Sequence, residues 1–401
     1  MKVLIADKFE RVGIDGLKEL GCAVVVRPEM KAEELPAVMR EVDPHILIVR
    51  SKKVSADALK AGTALSLVIR AGAGIDTIDV DAASSLGVFV SNCPGKNSIA
   101  VAELVMGLLL ALDRRIPEQV LDLRQGRWNK AEYSKARGLY GRRLGIVGLG
   151  QIGREVAARA RAFGMRVIAW SRNLTHEEAD RLGLVYAQTP LEVARLSDVV
   201  TIHVAANEET RHLVNAEFLA AMHPGACLIN TSRGSVVDEA ALGEAIRTKG
   251  IRAGLDVYQS EPAGGTGAFT NPLVQEPGVA GTHHVGASTD QAQVAIAHEV
   301  VRIVQTFRET GEVPNVVNRL ARSSATHVLS IRHRNRPGVL AHVFNVLAGA
   351  SINVEEVENI IYHGAQATLA RIHLDGEPNN GALDKIRTGN ADVISVELNE
   401  I

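Results

Sequence analysis

At 401 residues, 46% hydrophobic and 22% charged, the chain is long enough for two or three domains with a large buried core. A formal net charge of −2 offers no electrostatic basis for nucleic acid as a partner. Cys22, Cys93 and Cys227 are scattered, without disulfide or metal-ligand spacing, which fits a reducing compartment and predicts no metal site.

Met1-Lys2 opens directly into an apolar strand, so no signal peptide is expected. Residues 1–95 then alternate strand and helix patterns. Short β runs fall at 2–6, 23–26, 46–50 and 67–70, with helical stretches around 9–20, 32–41 and 55–61. This predicts an α/β unit with a parallel sheet whose first turn lacks a glycine-rich phosphate loop. Carboxyl ends of parallel strands are where such sheets bind ligands. The loops Arg50-Ser51-Lys52-Lys53, Arg70-Ala71-Gly72-Ala73-Gly74 and Asn92-Cys93-Pro94-Gly95-Lys96-Asn97-Ser98 are therefore candidates for an anionic substrate, against plain solvated charge for Lys52 and Lys53. Cys93 reads as a quiet loop cysteine, with oxidation sensitivity the alternative.

Residues 98–112 form the most apolar helix. It carries Glu103, is too short to span a bilayer, and being apolar on nearly all sides belongs in a core or a subunit interface. A soluble, cytoplasmic protein without membrane contact is expected. After a polar stretch with Trp128, a buried strand at 144–147 runs into Gly148-Leu149-Gly150-Gln151-Ile152-Gly153 and then a helix over 154–163. Gly148 permits the tight turn, Gly150 lets a pyrophosphate approach the backbone, and Gly153 lets helix and strand pack closely. Free N–H groups and the helix dipole favour phosphate there. Further strands are predicted at 166–170, 199–203, 226–230, 253–256 and 279–282. Helices lie around 217–222, 239–249 and 289–310, with a turn at 190–196 and a surface loop at 261–272. A linker at 322–325 leads to a tail with β-α-β-β-α-β order, which is ferredoxin-like.

Three polar groups follow buried strands in the second half: Asn230-Thr231-Ser232-Arg233-Gly234, Asp256 through Glu261-Pro262, and Thr282-His283-His284-Val285-Gly286-Ala287-Ser288. Arginine grips a carboxylate by its fork, histidine passes a proton near neutral pH, and a glutamate fixes the histidine tautomer. Hydride transfer between a nicotinamide and a 2-hydroxy acid needs those three functions.

With these motifs the chain resembles the D-isomer-specific 2-hydroxyacid dehydrogenases over nearly its whole length, and within them the members that oxidise D-3-phosphoglycerate to 3-phosphohydroxypyruvate in serine synthesis. The resemblance implies a flavodoxin-like substrate domain (1–97 and 286–320), a Rossmann dinucleotide domain (98–285) and a C-terminal ACT domain (326–401). It implies Arg233, Glu261 and His284 as catalytic, His284 rather than His283 because it directly precedes Val285-Gly286-Ala287-Ser288. The cofactor would meet Gly148 to Gly153, Ser171, Arg172, Thr231, Asp256 and Gly286, and the substrate Arg50, Ser51, Arg70, Ala71, Gly72 and Asn97. His333, Asn335 and Asn353 match the family's positions for an L-serine effector. Paired ACT domains imply a homo-oligomer, dimer or tetramer, and a module that only dimerises is the alternative.

One departure matters. The family's NAD form closes the second strand of the dinucleotide unit with an acidic residue, whereas here Trp170 is followed by Ser171-Arg172. Arg172 could pair with a 2′-phosphate, so NAD(H) by family habit and NADP(H) by local chemistry both stand. A glyoxylate/hydroxypyruvate reductase is the second enzymatic reading, and a nucleotide-sensing corepressor-like protein the non-enzymatic one.

Overall fold

Runs of β-branched and aliphatic residues build two parallel sheets and one antiparallel sheet in the computed structural model, which describes residues 1–262, 267–320 and 323–401. The chain divides into two units, Met1–Asn318 and Arg319–Ile401.

In the first unit, β1 (Lys2–Ile5), β2 (Ala23–Val26), β3 (Ile46–Val49), β4 (Leu67–Arg70) and β5 (Phe89–Asn92) form an all-parallel sheet in the order β2-β1-β3-β4-β5. Alternate residues serve opposite cores. Leu4, Leu47 and Val49 pack on one face, while Val3, Ile5, Ile46 and Ile48 pack on the other against Ile296, Val300, Ile303 and Val304. Those last four belong to the Asp290–Thr310 helix, which the Thr289 side chain caps and Gly311, in the left-handed region, ends.

The second sheet comprises β6 (Arg143–Val147), β7 (Arg166–Trp170), β8 (Val185–Tyr186), β9 (Val199–Ile202), β10 (Cys227–Asn230), β11 (Arg252–Leu255) and β12 (Val279–Gly281). Its order is β12-β11-β10-β9-β6-β7-β8, parallel throughout. Both orders reverse once, between β1 and β3 and between β6 and β9. Crevices at such reversals are where doubly wound sheets take ligands. The Ser98–Arg114 helix lies in the core of this sheet, with Val105, Leu108 and Leu109 packed among Leu144, Ile146, Cys227 and Ile229. The core is one of its two expected places.

Several helices go beyond the sequence-based expectation. Ile116–Arg124, Lys130–Tyr133 and His176–Arg181 carry too narrow an apolar stripe to be read from periodicity. The predicted turn at 190–196 is a helix, Pro190–Leu196, capped by Thr189 and started by proline at its first position. Residues 263–266 of the predicted surface loop, and Arg322 of the linker, lie outside the described residues. Among the described residues no helix is long and apolar enough to cross a membrane.

The second unit pairs β13 (His327–Arg334), β14 (Val354–Ile361), β15 (Ala367–Leu374) and β16 (Val393–Glu400) antiparallel in the order β14-β15-β13-β16. Helices Val339–Gly349 and Asn380–Thr388 complete the β-α-β-β-α-β order, with Val343, Leu347 and Ile386 packed on Leu329, Ile331 and Ile372.

One buried carboxylate fixes the loop after β5. Glu299, on the Asp290–Thr310 helix, bonds Arg302 (2.5 Å), the Asn315 amide (2.7 Å) and Lys96 (3.2 Å). The Arg302 hydrogen bond leads these contacts, which outweigh burial and bring its pKa down to about 2. A carboxyl depressed on folding stabilises the protein above its unfolded pKa, and that stabilisation is lost as pH falls through the folded value. Glu299→Gln should therefore lower stability at neutral pH by on the order of 2 kcal/mol. In thermal unfolding across a pH series, the gap to the parent should narrow below pH 4.5. A gap that stays constant down to about pH 3 contradicts this account.

Candidate active site

The glycine turn after β6 has the geometry its sequence predicts. Gly148 has φ of 101°, and a Cβ there would lie 2.7 Å from the His203 carbonyl at the end of β9. Gly153 sits against the Gly148 carbonyl oxygen, where a Cβ would come within 2.4 Å. Gly150 caps the Gln151–Ala162 helix and faces open space, so the first helical N–H groups are accessible to an anion. Leu149 and Ile152 turn their side chains into the core and offer only backbone. The Gln151 side chain lies over Gly95, bringing the loop after β5 up to the turn.

At the end of β7, Ser171 and Arg172 stand with no carboxylate beside them in sequence, and Arg172 pairs across the surface with Glu209 at 3.4 Å. Thr231, after β10, keeps its Oγ1 buried without a hydrogen-bond partner. An accessible helix start and an orphaned hydroxyl suit a dinucleotide along this edge.

His284 and Glu261 meet directly, Nδ1 to Oε2 at 2.7 Å. Glu261 also accepts the Tyr258 N–H at 2.8 Å. Burial alone pushes the Glu261 carboxyl up, but the His284 hydrogen bond, the Tyr258 N–H and the nearby charge of Arg233 together hold it below the usual range. The carboxylate is thus ionised and accepts from Nδ1–H, leaving Nε2 of His284 for a substrate. His284 has φ of 53°, in the left-handed region. Asp256 secures that backbone: its buried carboxylate accepts Thr282 Oγ1 (2.6 Å), Val285 N (2.9 Å) and Gly286 N (2.8 Å). Asp256, expected at the cofactor, therefore also anchors the histidine loop. His283 is exposed.

Arg233 joins the same rim because Gly234 packs on the Tyr258 carbonyl carbon, where a Cβ would fall at 2.0 Å. Its guanidinium pairs with Asp76, Oδ2 standing 2.8 Å from Nε and from Nη2. Arg70 folds over Gly72, its Nε buried without a partner. Burial, and then the like charges of Arg233 and Arg50, lower the Arg70 pKa. Asp7, at the end of β1, accepts Arg50 N (2.7 Å), Ser51 N (3.2 Å) and Lys52 N (3.1 Å) and so shapes the loop after β3. The Ala71 N–H is spent on the Val49 carbonyl (2.7 Å), and Asn97 Oδ1 is buried and unpartnered. Cys93 is fully buried, its thiol pushed up to about 12 chiefly by that burial, which makes it inert.

Sequence reasoning missed Asp7 and Asp76. Each acts on residues dozens of positions away, and no local spacing reveals such a pairing. A cavity of about 140 Å³ lies instead at the amino ends of β6, β10 and β11, lined by Arg142, Cys227 and Arg252, and holds none of the motif residues.

In the second unit the three predicted effector residues do not converge. His333 is buried, with Nδ1 on the Arg334 carbonyl at 2.8 Å, and Asn335 bonds the Ala365 carbonyl at 3.0 Å. Asn353 bonds Glu355 at 2.9 Å at the other end of the sheet. There Val354 and His327 both face Leu374, whereas Arg334 faces Ala367. Nine rungs along β15, from Gln366 beside Asn335 to Asp375 beside Asn353, roughly 30 Å, separate the two asparagines.

The model for the D-isomer specific 2-hydroxyacid dehydrogenase NAD-binding domain matches residues 106–286, and the ACT domain model matches 327–358. The chain is 40% identical over 289 residues to a hydroxypyruvate reductase of Thermotoga maritima, covering 72% of this chain and 91% of that protein. It is 38% identical over 320 residues to a D-3-phosphoglycerate dehydrogenase of Methanocaldococcus jannaschii, covering 79% of this chain but only 59% of that relative's length. The solved NADPH-dependent glyoxylate/hydroxypyruvate reductase of Sinorhizobium meliloti, in complex with NADP and malonate, superposes with a TM-score of 0.68 at 32% identity, covering 79% of this chain and 96% of that one. At 40% identity over most of a known relative, the chain belongs to the D-isomer specific 2-hydroxyacid dehydrogenase family.

Proposed function

We propose that this chain is an NAD(P)-dependent D-2-hydroxyacid dehydrogenase interconverting D-3-phosphoglycerate and 3-phosphohydroxypyruvate. The observation that carries the reading is the His284–Glu261 pair on one rim with Arg233, beside the glycine turn. A bound dinucleotide supplies the hydride chemistry. The chain's part is to hold and to move a proton. Arg233 orients the substrate carboxylate through its fork, and His284 gives its Nε2 proton to the keto oxygen in reduction or accepts it from the hydroxyl in oxidation. Ionised Glu261 accepts the Nδ1–H and so fixes the tautomer and the orientation of the ring. Arg50 and Arg70, clustered with Arg233, suit a substrate carrying a phosphate as well as a carboxylate.

A second reading, reduction of glyoxylate or hydroxypyruvate with NADPH, is favoured by Ser171-Arg172 standing where NAD-linked members carry an acid. A panel of 2-hydroxy and 2-keto acids run with both cofactors separates the two. If no member turns over with either cofactor, the enzymatic reading fails. His284→Ala is expected to slow the chemical step by about 100- to 10,000-fold in single-turnover kinetics while dinucleotide affinity is retained. An unchanged rate removes His284 from the mechanism.

The tail serves in this reading as an effector module for L-serine. His333 and Asn335 lie at one end of the sheet and Asn353 at the other, so a site using all three draws on two chains, which supports a homo-oligomer. Titration with L-serine should give saturable inhibition and a heat of binding, both lost in Asn353→Ala. Flat activity together with no heat contradicts the effector role.

A further inference from the structure

The Arg233 guanidinium has five N–H donors in one plane. Asp76 Oδ2 accepts one of them, from Nε at 2.8 Å, and lies equally close to Nη2, while the Ser232 carbonyl accepts another from Nη1 at 2.7 Å. The remaining N–H groups, on Nη1 and Nη2, suffice for a bidentate grip on a carboxylate. Gly74 makes the pairing possible: a Cβ there would lie 1.9 Å from Nη2 and 3.1 Å from Asp76 Oδ2. The two partners are 157 positions apart, Asp76 on the loop after β4 and Arg233 after β10, so each sheet contributes one of them.

We propose that Asp76 is a positioning residue for the reaction assigned above, on which this inference rests. It holds the Arg233 guanidinium in the rotation that presents its remaining N–H groups to the substrate carboxylate. A long arginine side chain loses considerable rotamer freedom when it is immobilised. With Asp76 in place that loss is incurred on folding. Without it, the substrate must order the guanidinium itself, and affinity falls more than the chemical step. A purely electrostatic role predicts the opposite, since removing a negative charge beside Arg233 strengthens its attraction for an anion.

The test uses the full-length protein saturated with dinucleotide. Calorimetry measures binding of oxamate, an unreactive 2-keto acid analogue, and steady-state kinetics measure KM and kcat for the keto acid. Asp76→Ala should weaken oxamate and raise KM by about tenfold, with a smaller change in kcat and no change in dinucleotide affinity. Asp76→Asn, which keeps an oxygen acceptor, should recover most of the loss. If Asp76→Ala fails to fold, Asp76→Ser, too short to reach the fork, is read the same way. Parental or tighter oxamate binding in the shortened variants overturns the proposal. A parent that binds oxamate but turns nothing over, with binding weakened in Asp76→Ala, keeps the positioning role and removes the activity. A parent that neither binds nor turns over removes both.

Discussion

Strands of a parallel sheet all end on the same edge, and everything at the rim depends on that shared polarity. β1, β3, β4, β6, β10 and β11 bring Asp7, Arg50, Arg70, the glycine turn, Arg233 and Asp256 to the carboxyl edges of two such sheets. Neither edge assembles a complete set of groups by itself. The loop after β5 reaches the glycine turn through Gly95 and Gln151, and the loop after β4 meets the loop after β10 through Asp76 and Arg233. The reactive groups are thus products of topology first and of local sequence second.

Electrostatics then sorts the rim into roles. Asp256, Asp7 and Asp76 are acids that hold backbone or a guanidinium in place, and Glu261 is the one that reaches the histidine. Arg70, with its Nε unpartnered and like charges nearby, is incompletely satisfied by the protein itself. An incompletely paired guanidinium at such a rim favours an anion, and geometry rather than net charge supplies the selectivity.

Much of this was legible in the chain. Buried parallel strands read as continuous aliphatic runs, as at Ile46–Val49, so every strand of the two parallel sheets but β5 and the two-residue β8 could be placed from sequence. The glycine turn carries its own mechanics, and the Arg, Glu and His motifs each follow a strand. Short polar helices such as His176–Arg181 were not legible, because a single turn or two with little apolar surface leaves no periodic trace. Nor were Asp7 and Asp76, whose partners are defined only once strands distant in sequence lie side by side. In the tail, His333, Asn335 and Asn353 are expected at the shared edge of paired domains, and within one chain the strand register buries the first and separates the other two.

That separation carries a consequence for how the tail can be dissected. In the effector reading proposed above, a pocket that needs both asparagines is shared between two chains, so its occupancy depends on chain concentration as well as on ligand. Chains damaged at Asn335 and chains damaged at Asn353, each unable to form an intact pocket with its own kind, could together rebuild one of every two pockets by complementation.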